Sequence, residues 1–110
     1  MSKADEKMMD MQRMFLEKNA IEMDIPDYMI ESLVQYILIG RPVGHFLTAI
    51  INNDLKGAVN RGDDMNQCRI VNYVKFLFNY APHGSWGYEG STNMWIARGG
   101  KYPQHQPVTE

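Results

Sequence analysis

Residues 40–54 read GRPVGHFLTAIINND: a glycine, a proline turn, a second glycine, then an apolar run closing on three short polar side chains. Gly40 is suited to the left-handed conformation that ends a helix, and Pro42 forbids continuation, so Arg41-Pro42-Val43-Gly44 reads as a turn between two helices. Before it, Asp24-Ile25-Pro26-Asp27 marks a helix start with proline in the first turn, where its missing N–H costs nothing; that helix runs over 26–39. Its apolar positions Met29, Leu33, Tyr36, Ile37 and Ile30, Val34, Leu38 cover more than one face, which predicts a helix sandwiched between neighbours.

After the turn, a third helix is predicted over 45–60, with Leu47, Ile50, Ile51, Leu55, Ala58 and Val59 on one broad face. Its other side is polar: Asn52, Lys56 and Asn60 recur at steps of four, and Ala49, Asn53 and Gly57 form a second line. A glycine inside a helix costs about 1 kcal/mol relative to alanine, so Gly57 predicts the close approach of another backbone. Arg61-Gly62-Asp63-Asp64 breaks the pattern, and Asp64 and Gln67 are placed to cap a fourth helix over 64–80, with Cys68, Val71, Val74, Leu77 and Phe78 as its seam.

At the N-terminus, Ser2 and Asp5 stand in capping-box spacing ahead of an amphipathic helix over 3–18 that carries Met8, Met9, Met11 and Met14, a soft and adaptable apolar surface. After Ala81-Pro82 the stretch HGSWGYEGSTN reads as a loop. Ser91 or Thr92 then starts a short helix near 92–97, stopped by Gly99-Gly100. The closing KYPQHQPVTE has little to bury and is expected to be a disordered tail over 101–110. The expectation is therefore an all-α fold, one small domain over 1–100 with four main helices and a short C-terminal helix.

Composition narrows the function. A chain of 110 residues with 45% hydrophobic content buries a limited fraction of its surface, so a homo-oligomer is expected, with the first helix in its interface. A formal charge of −2 and a pI near 5.9 provide no positive field for a phosphate backbone, which disfavours double-stranded DNA. A single cysteine, Cys68, and an N-terminus without the apolar core of a signal peptide point to the cytoplasm. The apolar runs are far short of the roughly 20 residues of a membrane span.

Chemistry-bearing motifs are few. His45, His83 and His105 fall in a helix start, a loop and the tail, with no metal-ligand spacing, and no cofactor is implied. Phosphate-loop, nucleophile-elbow and EF-hand patterns are missing, and Asp54, Asp63 and Asp64 read as capping residues, so a non-enzymatic protein is expected. Two features stand out. The helix start at Gly44-His45, with Arg41 upstream, offers N–H groups and a positive dipole end to an anion. The polar face of Asn52, Asn53, Lys56, Asn60 and Arg61 carries donors for bases or phosphates. Trp86 and Tyr88 complete this candidate ligand set by stacking on a planar ligand. The plainer alternatives are a helix corner, a solvated face and a tryptophan closing the end of a helix pair.

From Ile25 to Trp95, Gly40, Pro42, Gly44, Phe46, Leu47, Ala49, Asn53-Asp54-Leu55, Ala58, Arg61, Asp63, Asn66, Pro82 and Trp86-Gly87 form a pattern. It covers about two-thirds of the chain and resembles short helical accessory proteins of tailed phages and mobile elements. The resemblance implies a phage-type origin and action by occupancy; combined with the helix start at Gly44-His45 and the Asn/Arg face, it leads to the expectation of an anti-defence protein that sequesters a nucleotide-type signal, such as a cyclic oligonucleotide, as an oligomer. A protein-binding inhibitor or adaptor of a host defence protein, acting through the Met-rich helix, is the rival expectation. A helix-turn-helix DNA binder is a third and is weakened by the acidic charge and the apolar third helix.

Overall fold

A computed structural model of the chain describes residues 3–103. Among these the fold is all-helical, with α1 Lys3–Glu22, α2 Asp27–Ile39, α3 His45–Ile51, α4 Leu55–Arg61, α5 Asp64–Gln67, α6 Ile70–Tyr80 and α7 Ser91–Arg98, and no strand. Ser2, the expected cap of the first helix, and the tail residues 104–110 lie outside the described residues.

The centre is α2. Seven of its thirteen residues are buried, Ile30, Leu33, Val34, Tyr36, Ile37, Leu38 and Ile39, as its multi-faced apolar pattern requires. Helix α1 packs along it and also reaches α6, while α3 packs on α4, α6 and α7. Met9, Leu16 and Ala20 are the buried positions of α1, four or seven residues apart on one stripe. Gly40 ends α2 in the left-handed conformation at φ 71°, as the sequence predicts.

Two expected helices are each divided. The helix foreseen over 45–60 stops at Ile51. Asn53 turns left-handed at φ 61°, Asp54 N–H reaches back to Ala49 O at 2.8 Å, and the Asp54 carboxylate accepts from Gly57 N at 3.0 Å to start α4. Asparagine tolerates this conformation and aspartate caps the following helix, so local side-chain bonding overrides helical periodicity here. The break turns Leu55 and Val59 outward and leaves only Gly57 and Ala58 of α4 buried.

The helix foreseen over 64–80 is interrupted at Cys68-Arg69. Asp63, not Asp64, caps its first turn by accepting from Asn66 N at 2.8 Å. The buried face of α6 is Tyr73, Phe76 and Leu77. Of the expected seam only Leu77 is inside, while Cys68, Val71, Val74 and Phe78 are exposed. The aromatic face prevails because its polar atom is provided for: Tyr73 Oη donates to the buried Asn66 Oδ1, and Phe46 meets the Tyr73 ring edge-on at 5.2 Å between centroids. Burial pushes the Tyr73 and Tyr36 hydroxyls well above the usual tyrosine range, so both stay neutral donors.

The close backbone approach expected at Gly57 is found elsewhere. A Cβ on Gly57 would strike the Asp54 cap and the Arg61 guanidinium, side chains of its own corner. The backbones that meet are those of Gly40 and Gly99-Gly100: a Cβ on Gly40 would lie 2.7 Å from Gly100 N. Past this contact the chain does not leave the domain at 101. Lys101 N donates to Ile37 O at 3.0 Å and Tyr102 N to Leu38 O at 2.8 Å, which places the first residues of the expected tail against α2.

Gly100 sits at φ 79° with the backbone of Ile39 and Gly40 where a Cβ would stand. Gly100→Ala is therefore expected to lower stability by about 2–4 kcal/mol, combining left-handed strain with a backbone collision. Urea unfolding followed by circular dichroism reads this, and a loss under about 0.5 kcal/mol would contradict the packing described.

Candidate functional site

A concavity lies between α6, the end of α3 and the loop that follows α6. It has a volume of about 720 Å³ and is lined by Asn53, Val74, Phe78, Ala81, His83, Gly84, Trp86, Gly87 and Tyr88. Each wall has a sequence cause. Val74 and Phe78 form the outward stripe of α6, left over once Tyr73, Phe76 and Leu77 take the core. Asn53 projects from the left-handed corner between α3 and α4. Trp86 and Tyr88 come from a loop whose glycines Gly84, Gly87 and Gly90 all have positive φ, a path that residues with a Cβ rarely follow.

That loop is tied down at several points. Tyr36 Oη donates to Ser85 O at 2.7 Å, Gly87 N donates to Ile51 O at 2.7 Å, and Ser85 Oγ donates to Pro82 O at 2.6 Å. Tyr88 Oη donates to Gly84 O at 2.9 Å across the loop. The groove lining holds one amide, one imidazole, one phenol and one indole, and no carboxylate, lysine or arginine.

Two smaller concavities adjoin it. One, of about 40 Å³, shares Asn53 and Val74 and runs between α3, α4 and α6. The other, of about 170 Å³, shares His83, Gly84 and Tyr88 and is closed by Met94, Trp95 and Arg98.

Of the nine residues singled out in the sequence, Asn53, Trp86 and Tyr88 meet in this groove, and the others do not line it. Asn52 has an internal role: its Oδ1 accepts from Thr92 N at 2.9 Å, Thr92 Oγ1 at 3.0 Å and Ser91 Oγ at 3.2 Å. It thus caps α7 from forty residues away, where the preceding residue, Gly90, has no side chain to offer. Arg61 is drawn to Asp54 at 3.9 Å across its own corner. Lys56 and Asn60 are exposed on α4, and the break at Asn53 takes them out of line with Asn52. Arg41 and His45 are exposed at the α2–α3 turn; α3 has only seven residues, so the dipole end expected there is weak.

The sequence places Val74 and Phe78 in a core seam and His83 in a loop without a metal-ligand partner, and it gives Arg98 no role. A second apolar stripe on α6, Val71-Val74-Phe78, was visible beside the buried one, but periodicity alone does not say which of two stripes faces inward. Among the described residues no three His, Cys, Asp or Glu side chains converge as a metal site requires, and no helix is long and apolar enough to cross a membrane. Compared with known proteins, the chain matches no family model, no curated protein and no solved structure.

These placements separate cap from surface. Asn52→Ala strands the Thr92 N–H and hydroxyl at the start of α7, while Ser91 Oγ keeps Ile51 O at 2.9 Å, and is expected to cost about 1–2 kcal/mol. Arg41→Ala and Lys56→Ala are expected to stay within about 0.5 kcal/mol of the parent. Parallel denaturant titrations of the three variants check this; an Asn52→Ala protein as stable as the parent would remove the capping role.

Proposed function

We propose that this is a non-enzymatic binding protein that holds a nucleotide-type ligand, such as a cyclic oligonucleotide, by its base in the aromatic groove. It acts by occupancy, as the resemblance to phage accessory proteins implies, sequestering a defence signal in the host cytoplasm. The observation that carries the reading is the convergence of Trp86, Tyr88 and Phe78 around Asn53. A planar base stacks on indole and phenyl faces with a gain of about 1–3 kcal/mol per base, and an amide presents both a donor and an acceptor to a base edge. The groove's volume of about 720 Å³ falls in the range of small-molecule sites, about 300–1,000 Å³.

Thermal shift with a panel of cyclic di- and trinucleotides tests it, since a ligand that binds only the folded state stabilises by RT ln(1 + [L]/Kd). Calorimetry then compares Trp86→Ala, expected to weaken binding about tenfold or more, with Arg41→Ala, expected to leave it unchanged. No shift with any member of the panel would overturn the reading.

A second reading, a protein-binding adaptor or inhibitor, is favoured by the surface of α1. Met8, Met11, Met14 and Phe15 are each more than half exposed, although Phe15 also meets the Tyr80 ring edge-on at 5.6 Å. Flexible thioethers on an open helix face suit a protein surface better than a small ligand. The expected homo-oligomer would use this same face. Light scattering of the full chain at micromolar concentration separates the cases: an oligomer that falls to monomer mass on Met11→Lys assigns the face to self-association, and a parent monomer refutes the oligomer.

A further inference from the structure

We infer that the His83–Arg98 end of the groove is an anion subsite that takes a phosphate group. The inference rests on the base-binding reading above and supplies the charge that the groove's own lining lacks. His83, Gly84 and Tyr88 belong to both the groove and the cavity of about 170 Å³ beyond it, so a ligand with its base on Trp86 has a continuous path to Arg98.

Arg98 differs from the other arginines in two ways. Among the described residues Arg13, Arg61 and Arg69 are each ion-paired, with Glu31, Asp54 and Asp24, whereas Arg41 and Arg98 have no carboxylate within that range. Arg98 also lines a concavity. Its guanidinium is also already oriented: the central carbon lies 5.0 Å from the centroid of the Trp95 ring, and Nε donates to Gly100 O at 3.1 Å. Both supports are rigid. Trp95 is 4% exposed with Nε1 donating to Tyr36 O at 2.9 Å, and Gly100 is locked against Gly40.

With Nε engaged and one face of the ion covered, the two terminal nitrogens have no partner among the described residues. They present the flat fork that matches two phosphate oxygens. Little side-chain freedom is left to lose on binding, unlike for Lys56 on the open face of α4. The His83 imidazole offers a further donor, and no carboxylate lines the cavity to compete.

Nuclear magnetic resonance titration of the full chain with inorganic pyrophosphate tests the subsite without reference to the base. Saturable shifts at the His83 ring and the Arg98 guanidinium are expected, with affinity falling about tenfold in Arg98→Gln and less in Arg98→Lys, which keeps charge but not the fork. Trp86→Ala should leave pyrophosphate binding within about twofold. Lack of saturable shifts at these two residues, or equal affinity in the Arg98→Gln protein with its helical circular dichroism retained, overturns the inference. If Arg98→Gln does not fold, His83→Gln and Arg98→Lys take its place under the same criterion. A parallel arm with adenosine and adenosine monophosphate keeps the two readings apart. Tighter binding of the monophosphate supports the subsite and equal binding opposes it. Pyrophosphate binding at His83 and Arg98, with both adenosine compounds inert, retains the anion site and removes the base-binding groove.

Discussion

The last carbonyls of α2 are the constraint around which the rest is built. A helix leaves its final four carbonyls without intrahelical partners, and here that end is buried, so water cannot serve them. Tyr36 O accepts from Gly40 N at 3.0 Å and from Trp95 Nε1 at 2.9 Å. Ile37 O accepts from Lys101 N, and Leu38 O from Tyr102 N. The donors come from three separate parts of the chain: the turn after α2, the last helix and the segment after it. Because the partners approach so closely, Gly40 and Gly100 have to be glycine, and the segment from 91 to 102 is tied to the core rather than left as an appendage. Leaving one such carbonyl unsatisfied costs about 1–3 kcal/mol, a large share of the stability of a chain this size.

This explains which parts of the fold were legible in sequence. The existence of α1, α2 and α7 was, because proline, glycine and apolar spacing act locally. The division at 52–54 was not: Leu55, Ala58 and Val59 continue the helical phase of Leu47, Ile50 and Ile51 across the break, so the pattern looks unbroken. What divides it is the Asp54 side chain capping Gly57 N and the left-handed Asn53, both within reach of any Asn-Asp pair in a helix and decisive only when packing agrees. The role of Lys101 and Tyr102 was equally hidden, since a backbone N–H carries no mark in a sequence.

The candidate site was legible in part for the same reason. Asn52 and Asn53 are adjacent, identical and equally polar, yet one is drawn inward by the start of α7 and the other is left facing the groove. The distinction depends on a helix forty residues away. Likewise Val74 and Phe78 look like core residues until Tyr73 is seen to have a buried partner in Asn66, which turns the other stripe outward. Phe78 is then 77% exposed and becomes part of the groove wall. The polar stripe of Asn52, Lys56 and Asn60, by contrast, dissolves with the helix that was to carry it.

The glycine-rich loop shows how the groove acquires definition. Three positive-φ glycines would ordinarily make residues 84–90 adaptable, and an adaptable wall has to be ordered when a ligand binds. Instead the loop is pinned from beneath by Tyr36 Oη at Ser85 and by Ile51 O at Gly87, while Ser91 Oγ also reaches Ile51 O at 2.9 Å. The pinning groups belong to α2 and to the end of α3, so the elements that build the core also fix Trp86 and Tyr88. Among the described residues no buried side-chain nitrogen or oxygen is left without a partner, so these contacts add no uncompensated polar group. The glycines therefore serve to bring the chain sharply over the core, and the contacts that hold the aromatic wall are internal to the fold, as the proposed action by occupancy would require.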